Sequence, residues 1–358
     1  MKTNEGISVE EARSCFLCGS DGVLLYENLR DRLFSAPGIW SLLKCPDCHL
    51  VWLNPRPIST DIRKLYGEYY THNRTSSAPQ ISSLRVAIRN AILEAHMGYK
   101  NLNNNKLLKG FGKPFSLIKP IKERVRLSVM YLEGHNTGTL LDVGCGNGQF
   151  LVKMRGLGWK VSGVDPDEQS VEFAQKNFDL DIKKETMDQI HFPDSTFDAI
   201  TMNHVIEHLV DPIRTLNECA RVLKPNGKLI ILTPSIESLG SWLFKKNWLH
   251  LDPPRHLCLF TSFTLKKCVE GAGLKVFELR TSANSANWMW VNSHLIQRDG
   301  SIQGGFPKKQ GLWLRLNGIA FQITESALCL RKDLGEEVVL LATKKEVANK
   351  IDDRSKFL

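Results

Sequence analysis

The chain lacks two features of membrane and secreted proteins. It has no apolar run that is both long enough and free enough of charge to cross a bilayer, and its N-terminus shows no secretory signal. We therefore expect a cytoplasmic protein, whose only membrane contact would be peripheral. Five of the nine cysteines are scattered singly, as is usual in a reducing compartment; they stand at positions 145, 219, 258, 268 and 329.

Acidic residues are scarce between residues 74 and 130. Only Glu94 and Glu123 lie there, and the basic residues account for the whole net charge of +9: Arg74, Arg85, Arg89, Lys100, Lys106, Lys109, Lys113, Lys119, Lys122, Arg124 and Arg126. We interpret residues 73–130 as a basic helical connector, with an amphipathic helix over 82–99. Three roles stay open: a solvated face above a ligand cleft, a surface for a phosphate-bearing or anionic-lipid partner, and RNA contact. RNA contact is the least favoured, because few aromatic residues interleave with these charges.

Four cysteines near the N-terminus form two C-x-x-C pairs. Cys15 and Cys18 make the first pair, and Cys45 and Cys48 make the second. Each pair can offer two thiolates to one tetrahedral zinc ion, and four cysteines close the coordination shell, which is typical of structural zinc. We predict a zinc-binding lobe over residues 1–72, with disulfides or unrelated thiols as the alternatives. About 70 residues hold little core of their own, so a metal would stabilise this lobe.

A glycine-rich turn follows a short apolar run at residues 139–143. Gly144, Gly146 and Gly148 let the backbone adopt angles that a β-carbon forbids, and a helix is predicted from about residue 149. The next predicted strand ends in Asp165, whose carboxylate can accept hydrogen bonds from ribose hydroxyls. Glycine is missing at position 149, where a dinucleotide site requires it. Asp142 before the first glycine suits a ligand that carries an ammonium group and no pyrophosphate.

Four blocks in register carry a family resemblance. D-x-G-x-G with a distal acid resembles class I S-adenosylmethionine-dependent methyltransferases, and residues 192–200 and 221–231 are similar to later blocks of that family. The apolar runs alternate with helical segments at 168–178, 212–223 and 262–272, as in a parallel sheet with helices on both faces. The resemblance implies an α/β fold with a Rossmann-like seven-stranded methyltransferase sheet over 131–345. Its last two strands are expected at 275–280 and 337–343, the final one antiparallel, with an inserted segment at 283–335.

The resemblance also implies the cofactor contacts. S-adenosylmethionine would lie over the glycine turn, with Asp165 on its ribose. Met187 and Asp188 are expected beside adenine, and Asn203 beside the sulfonium. The full expected set is Asp142, Gly144, Cys145, Gly146, Gly148, Asp165, Pro166, Met187, Asp188 and Asn203.

Candidate catalytic residues lie in two places. His204, Glu207 and His208 follow the fourth strand of the domain and resemble the E-x-x-E-H element of ubiquinone-pathway O-methyltransferases, with His204 in place of the first acid. These three side chains could bind a second divalent ion, or they could be structural. The second place is a P-P-R-H-L element similar to one in small-molecule methyltransferases. There His256 ranks level with His204 as the base, and Arg255 would anchor an anionic acceptor.

The sequence does not identify the acceptor of the methyl group. A four-cysteine lobe before such a domain resembles the arrangement in bacterial enzymes that tailor sugars and other small molecules. We therefore predict methyl transfer to a small-molecule, glycan or lipid-linked acceptor with a histidine base. The alternatives are a ribosomal-RNA base methyltransferase and a non-catalytic zinc-bearing interaction protein. Apolar stretches at 288–290 and 312–323 could line a pocket for such an acceptor, lie on a membrane or, as we expect, pack on the sheet.

Overall fold

The protein is represented by a computed structural model that describes residues 2–66, 83–102, 114, 117–302, 311–329 and 333–344. The strands of the N-terminal part are β1 (Lys2–Asn4), β2 (Ile7–Glu10), β3 (Val23–Leu29), β4 (Trp40–Lys44), β5 (Val51–Leu53) and β6 (Arg56–Pro57). The later strands are β7 (Thr139–Val143), β8 (Lys160–Val164), β9 (Ile182–Lys183), β10 (Phe197–Asn203), β11 (Leu223–Pro234), β12 (Cys258–Leu259), β13 (Leu274–Ser282) and β14 (Glu337–Lys344).

The helices alternate with the later strands. They are α1 (Ser83–His96), α2 (Lys119–Ser128), α3 (Gln149–Gly156), α4 (Glu168–Phe178), α5 (Pro212–Val222), α6 (Leu239–Phe244), α7 (Ser262–Gly271), α8 (Ala286–Asp299) and α9 (Leu312–Leu328). Local sequence explains where α4 and α5 begin, because Asp167 and Asp211 each accept a hydrogen bond from a backbone N–H of the first turn. The helices predicted at 168–178, 212–223 and 262–272 are α4, α5 and α7, with boundaries that differ by at most one residue, and the helix predicted from about residue 149 is α3.

Seven strands form one sheet in the order β13-β14-β11-β10-β7-β8-β9. The strands from β7 to β11 run parallel, and β14 pairs antiparallel with β11 and with β13. This arrangement confirms the Rossmann-like seven-stranded sheet predicted from the sequence, including the antiparallel last strand. Apolar side chains of the central strands are fully buried because helices cover both faces of such a sheet.

The carboxyl ends of the parallel strands meet at one edge of the sheet. The glycine loop follows β7, Asp165 follows β8, and His204 follows β10. Because β14 runs in the opposite direction, its first residue, Glu337, lies at the same edge, where it pairs with Pro234 and Ser282. Ligands of open α/β sheets bind at this edge, so the fold brings the candidate residues together there.

The N-terminal lobe is joined to the domain by a shared sheet and a shared core. A four-stranded sheet has the order β12-β5-β4-β3, so its edge strand β12 comes from the domain and not from the lobe. Cys15, Cys45 and Cys48 pack in the same apolar cluster as Leu141 and Val269 of the domain. The lobe therefore relies on the domain for part of its core, in addition to any metal.

The inserted segment contains the helices α8 and α9. Met289 and Val291 of α8 are buried in a cluster that also holds lobe residues such as Trp40. The expectation that the apolar stretches simply pack on the sheet is wrong for α9, because Leu312, Trp313, Leu316, Ile319 and Ile323 are exposed. Among the described residues, none of the helices combines the length and apolar character that a membrane crossing requires.

The basic connector is described only in part. The amphipathic helix expected over 82–99 is α1, and its Ile92 and Leu93 pack in a cluster with Val125 and Val129 from α2 and the turn after it. Arg74, Lys106, Lys109 and Lys113 lie outside the described residues.

Candidate functional site

The glycine loop turns sharply between β7 and α3. Gly144, Gly146 and Gly148 all have positive φ angles, of 69°, 51° and 76°. A β-carbon on Gly144 would lie 2.5 Å from Val205 Cγ2, and one on Gly148 would lie 2.5 Å from Leu180 Cδ1, so both positions are tightly packed. A β-carbon on Gly146 would meet no atom within 4 Å. Gly146 therefore borders open space, and a ligand can approach its bare backbone, which fits the predicted cofactor.

Two buried carboxylates flank this loop. Asp165 accepts hydrogen bonds from the backbone N–H groups of Gly146 (2.7 Å) and Asp167 (2.9 Å), which hold its carboxylate against the loop. Asp142 accepts one from Thr201 Oγ1 at 2.6 Å. Burial raises the pKa of Asp142 to about 7, against the effect of the Thr201 hydrogen bond, and burial also raises the pKa of Asp165. Both carboxylates would be more stable as anions if a cation or hydroxyl donors lay beside them.

The other predicted cofactor residues differ in exposure. Cys145 packs its side chain against Leu151, away from the loop surface, so only its backbone is available to a ligand. Met187 is buried in the main core, whereas Asp188 is partly exposed beside Arg214. Pro166 and Asn203 are exposed at the ends of β8 and β10.

His204 lies between two carboxylates. Its Nδ1 is 3.2 Å from Glu207 Oε1, and its Nε2 is 3.2 Å from Glu337 Oε1. Although burial favours the neutral ring, these hydrogen bonds raise the pKa of His204 to about 10. Its role as a general base does not fit this geometry, because the ring is already protonated at neutral pH. A charged His204 instead positions Glu207 and Glu337.

The group of side chains that could bind a divalent ion differs by one residue from the group predicted from the sequence. Glu207, His208 and His256 each offer a ligand atom, and these atoms lie within 4.8 Å of one another, whereas His204 is not in this group. His208 Nδ1 is 3.0 Å from Arg255 O, and His256 Nδ1 is 2.7 Å from His250 O. A carbonyl partner on Nδ1 leaves Nε2 as the coordinating nitrogen, as in many metal-bound histidines. Burial lowers the pKa of both histidines to about 4, so both rings are neutral.

Arg255 does not face an acceptor. Its guanidinium is fully buried, donates to Asp31 Oδ2 at 2.7 Å and to Asp252, and lies 4.8 Å above the ring of Phe34. The anchoring role predicted for it is therefore wrong in this geometry. Asp31 belongs to the lobe, so Arg255 joins the lobe to the domain, a contact that no local sequence pattern reveals.

Sequence reasoning did not propose His250 or Glu337 as site residues, and it placed Trp288 in an apolar stretch that was expected to pack on the sheet. The ring of His250 stacks on His204 at 6.0 Å between centroids, and Trp288, which is 41% exposed, lies 6.1 Å from His250. Within the described part of the chain, His250 Nε2 and Glu337 Oε2 are buried without a hydrogen-bond partner. His250 stands in the same proline-rich element as His256, but Glu337 and Trp288 are brought there only by the fold. We call His204, His250, Trp288 and Glu337 the acceptor edge.

The four N-terminal cysteines form one cluster. The Sγ atoms of Cys15 and Cys48 are 3.6 Å apart, those of Cys18 and Cys45 are 3.3 Å apart, and those of Cys18 and Cys48 are 3.8 Å apart. Four thiolates at zinc–sulfur distances of about 2.3 Å in a tetrahedron would be separated by about 3.8 Å. All four thiols are unbridged, so the cluster fits a zinc ion and not two disulfides.

Comparisons with known proteins agree with the fold and the loop. Residues 119–279 match the family model described as a methyltransferase domain. The ubiquinone biosynthesis O-methyltransferase of Coxiella burnetii is 31% identical over 126 residues, which are 34% of this chain and 53% of that protein. The enzyme of the same description from Idiomarina loihiensis is 33% identical over 144 residues, 37% of this chain and 55% of that protein. The chain thus spans about half the length of these curated relatives.

Solved structures with a similar fold have lower identity. One is a methyltransferase of Thermotoga maritima described as a possible histamine N-methyltransferase, with 22% identity, a TM-score of 0.41 and coverage of 65% of this chain and 94% of that chain. Another is a methyltransferase of Archaeoglobus fulgidus, with 21% identity, a TM-score of 0.41 and coverage of 63% and 93%.

The sheet order, the glycine loop and the family match together define the class of this domain. Residues 119–279 are a methyltransferase domain of the S-adenosylmethionine-dependent class. The chain joins this domain to an N-terminal four-cysteine lobe, which lies outside the matched residues.

Proposed function

We propose that the protein transfers the methyl group of S-adenosylmethionine to a hydroxyl or amino group of a small-molecule, glycan or lipid-linked acceptor. The observation that carries this proposal is the pair of buried polar atoms, His250 Nε2 and Glu337 Oε2, which have no hydrogen-bond partner among the described residues. Such atoms are costly unless a ligand supplies O–H or N–H groups. Val205, which packs over Gly144, directly follows His204, so the acceptor edge adjoins the glycine loop.

The cofactor would be held by the loop and its two acids. Gly146 would let the cofactor lie on bare backbone, Asp165 would accept from the ribose hydroxyls, and Asp142 would face the ammonium group of the methionine part. Bound S-adenosylmethionine supplies an electrophilic methyl group on a sulfonium, so the protein has to align the acceptor and remove its proton. Met187, Asp188 and the exposed Pro166 and Asn203 remain candidate contacts.

The histidine base in this proposal is His250. Burial and the charge of His204 lower the pKa of His250 well below its ordinary value, so its ring is neutral and one ring nitrogen is free of a proton. Charged His204 would hold Glu337 in place through Nε2, while Glu337 Oε2 would orient the acceptor. His256 is a weaker candidate, because its Nδ1 is 2.7 Å from His250 O and its Nε2 is 4.0 Å from Asp252 Oδ2.

We also propose a structural zinc ion at the cysteine cluster and a second divalent ion at Glu207, His208 and His256. The four thiolates would give the first ion a closed shell, which serves folding and not catalysis. Two neutral imidazoles and a carboxylate suit Zn²⁺ and related ions, and such an ion would lower the pKa of an acceptor hydroxyl bound to it. The relatives named as ubiquinone biosynthesis O-methyltransferases support an oxygen acceptor.

The test of methyl transfer uses purified protein, radiolabelled S-adenosylmethionine and fractionated cell extract. We expect label in the small-molecule, glycan or lipid fraction, and Asp165→Ala should abolish cofactor binding in calorimetry. With the labelled fraction as acceptor, His250→Ala should lower kcat about 100-fold while cofactor affinity stays unchanged. His135→Ala, which changes an exposed histidine, is the matched control. Label in RNA alone, or full turnover by His250→Ala, would contradict the proposal.

The second ion is tested by metal analysis and not by activity. We expect two bound ions per chain in the native protein, and one in His208→Ala/His256→Ala. Cys45→Ser should retain the second ion. A native protein with one ion, all of it lost in Cys45→Ser, would show that the Glu207 group binds no metal.

A further inference from the structure

One face of α9 exposes apolar side chains along its whole length. Leu312, Trp313, Leu316, Ile319 and Ile323 are between 47% and 72% exposed. Their spacing places them on one stripe of a helix, whereas Gly318, Phe321 and Glu325 on the other side are buried. We call these five residues the apolar face. A contiguous face of this kind usually marks an interaction site.

A second exposed apolar group lies on α6. Trp242 is 73% exposed and Leu243 is 45% exposed at the end of this helix. Phe244 of the same helix packs on Trp290 of α8 at 6.3 Å, and Trp290 lies 6.0 Å from Trp313 of α9. Helices α6 and α9 therefore both pack against α8, and their exposed apolar groups flank that helix.

The charged side chains exposed on α9 and directly after α6 are basic, whereas Glu237, two residues before α6, is an exposed acid. Lys245 and Lys246 are exposed directly after the last residue of α6, Phe244, and Arg315 is exposed within α9. Neither α6 nor α9, both described in full, exposes a carboxylate, because Glu325 is buried. Tryptophan and aliphatic side chains beside lysine and arginine are typical of protein surfaces that lie in the headgroup region of anionic membranes.

We propose that the apolar face of α9, together with the end of α6, docks on an anionic lipid bilayer. A second copy of the chain is a less suitable occupant. In a twofold dimer the same surface meets itself, so two surfaces that each carry the basic residues Lys245, Lys246 and Arg315 would come together. The acceptor edge is close to this surface, because Trp288 belongs to α8 and its ring contacts His250. The docking does not depend on methyl transfer, so each proposal can fail without the other.

The experiment is co-sedimentation of the full chain with vesicles of neutral phosphatidylcholine, with or without about one third phosphatidylserine. We expect binding to the anionic vesicles, lowered about tenfold in Trp313→Ser/Leu316→Ser because two apolar anchors are lost. Phe263→Ser/Phe277→Ser changes two exposed phenylalanines elsewhere and should bind as the native protein does. Lys245→Gln/Lys246→Gln should reduce the preference for anionic vesicles.

The result has clear alternatives. Native protein that stays in the supernatant, or equal binding by Trp313→Ser/Leu316→Ser, would overturn the proposal. Sedimentation velocity without vesicles gives a further check: a native dimer that becomes monomeric in Trp313→Ser/Leu316→Ser would assign the face to a second copy. The thermal midpoint of that variant should stay within a few degrees of the native one, since both side chains are more than half exposed and Trp313 loses only its ring contacts with α8.

Discussion

At the scale of single residues, burial decides what each candidate group can do. Asp142 and His204 are both ionisable side chains at the carboxyl edge of the sheet, and both have a raised pKa, which favours the neutral form of Asp142 but the charged form of His204. Asp142 has one hydroxyl partner and is hard to ionise, whereas His204 has two carboxylate partners and stays charged. The first is therefore prepared for a cationic ligand, and the second is unsuited to accept a proton.

The pKa of Asp142 predicts a pH dependence of cofactor binding. A cationic ammonium group favours the ionised carboxylate, so affinity should be low where Asp142 is protonated and should rise as the pH passes about 7. From about pH 5.5 to about pH 7, below the titration of the cofactor's own amino group near 7.7–8.0, we expect about a tenfold gain. Calorimetry at several pH values measures it. Asp142→Asn should bind weakly with little pH dependence, and an equal slope in that variant would refute the assignment.

The glycines predict two different mutant phenotypes. Gly146→Ala places a methyl group in open space, so we expect weaker cofactor binding with a stability loss of about 1–3 kcal/mol from the positive φ. Gly148→Ala has the same backbone cost and in addition a clash with Leu180 Cδ1, so its stability loss should be about 1–3 kcal/mol greater than that of Gly146→Ala, with or without cofactor. Thermal unfolding and calorimetry separate the two effects. If Gly146→Ala binds the cofactor normally, the groove lies elsewhere.

At the scale of elements, the lobe and the domain share hydrogen bonds. Strand β12 of the domain completes the sheet of the lobe by pairing with β5, and Leu53 N donates to Leu257 O at 3.0 Å. The cysteine cluster packs on α7 through Cys268 and Val269. A change at the proposed zinc ion should therefore be felt beyond the lobe.

Removal of the metal should destabilise the whole chain. We expect chelation, or Cys45→Ser, to lower the thermal midpoint by several degrees. In both cases the cysteine cluster loses the metal ion that holds its thiolates together. Tryptophan fluorescence, which includes Trp40 of the lobe, and far-ultraviolet circular dichroism should report one common transition. Cys329→Ala, which lies outside the cluster, serves as the control. Two separate transitions would mean that the lobe unfolds independently.

At the scale of the whole molecule, one buried ion pair connects the two parts. Arg255 bridges Asp31 of the lobe and Asp252 of the domain. Burial opposes ionisation of Asp31, but the Arg255 guanidinium and backbone donors lower the pKa of Asp31 below its ordinary value. The pair therefore stays charged inside the protein.

Loss of this arginine should be costly. Arg255→Met would leave two buried carboxylates without their cation, so we expect a loss of about 3–5 kcal/mol in the free energy of unfolding. The control Arg298→Met removes an exposed arginine paired with Asp299 and should cost at most about 1 kcal/mol. Denaturant titration measures both. Asp31→Asn/Asp252→Asn should restore part of the stability of Arg255→Met, and no recovery would argue against uncompensated charge as the cause.

Sequence by itself determined the features that depend on neighbours along the chain. Alternating apolar runs and helical segments predicted the α/β sheet, and the spacing of Gly144, Gly146 and Gly148 located the loop, because apolar periodicity and glycine-rich turns are local properties. The C-x-x-C spacing likewise located the cysteine cluster. These signals lie within short segments, so no fold was needed to recognise them.

Tertiary structure alone decided the partners of the ionisable groups. Glu337 is 133 residues from His204, and Asp31 is 224 residues from Arg255, so no local pattern could show that one histidine is charged or that the arginine is buried. The antiparallel course of β14 brings Glu337 to the site, and the docking of the lobe buries Arg255. Protonation and exposure depend on which distant groups the fold brings into contact, and a linear pattern does not contain that information.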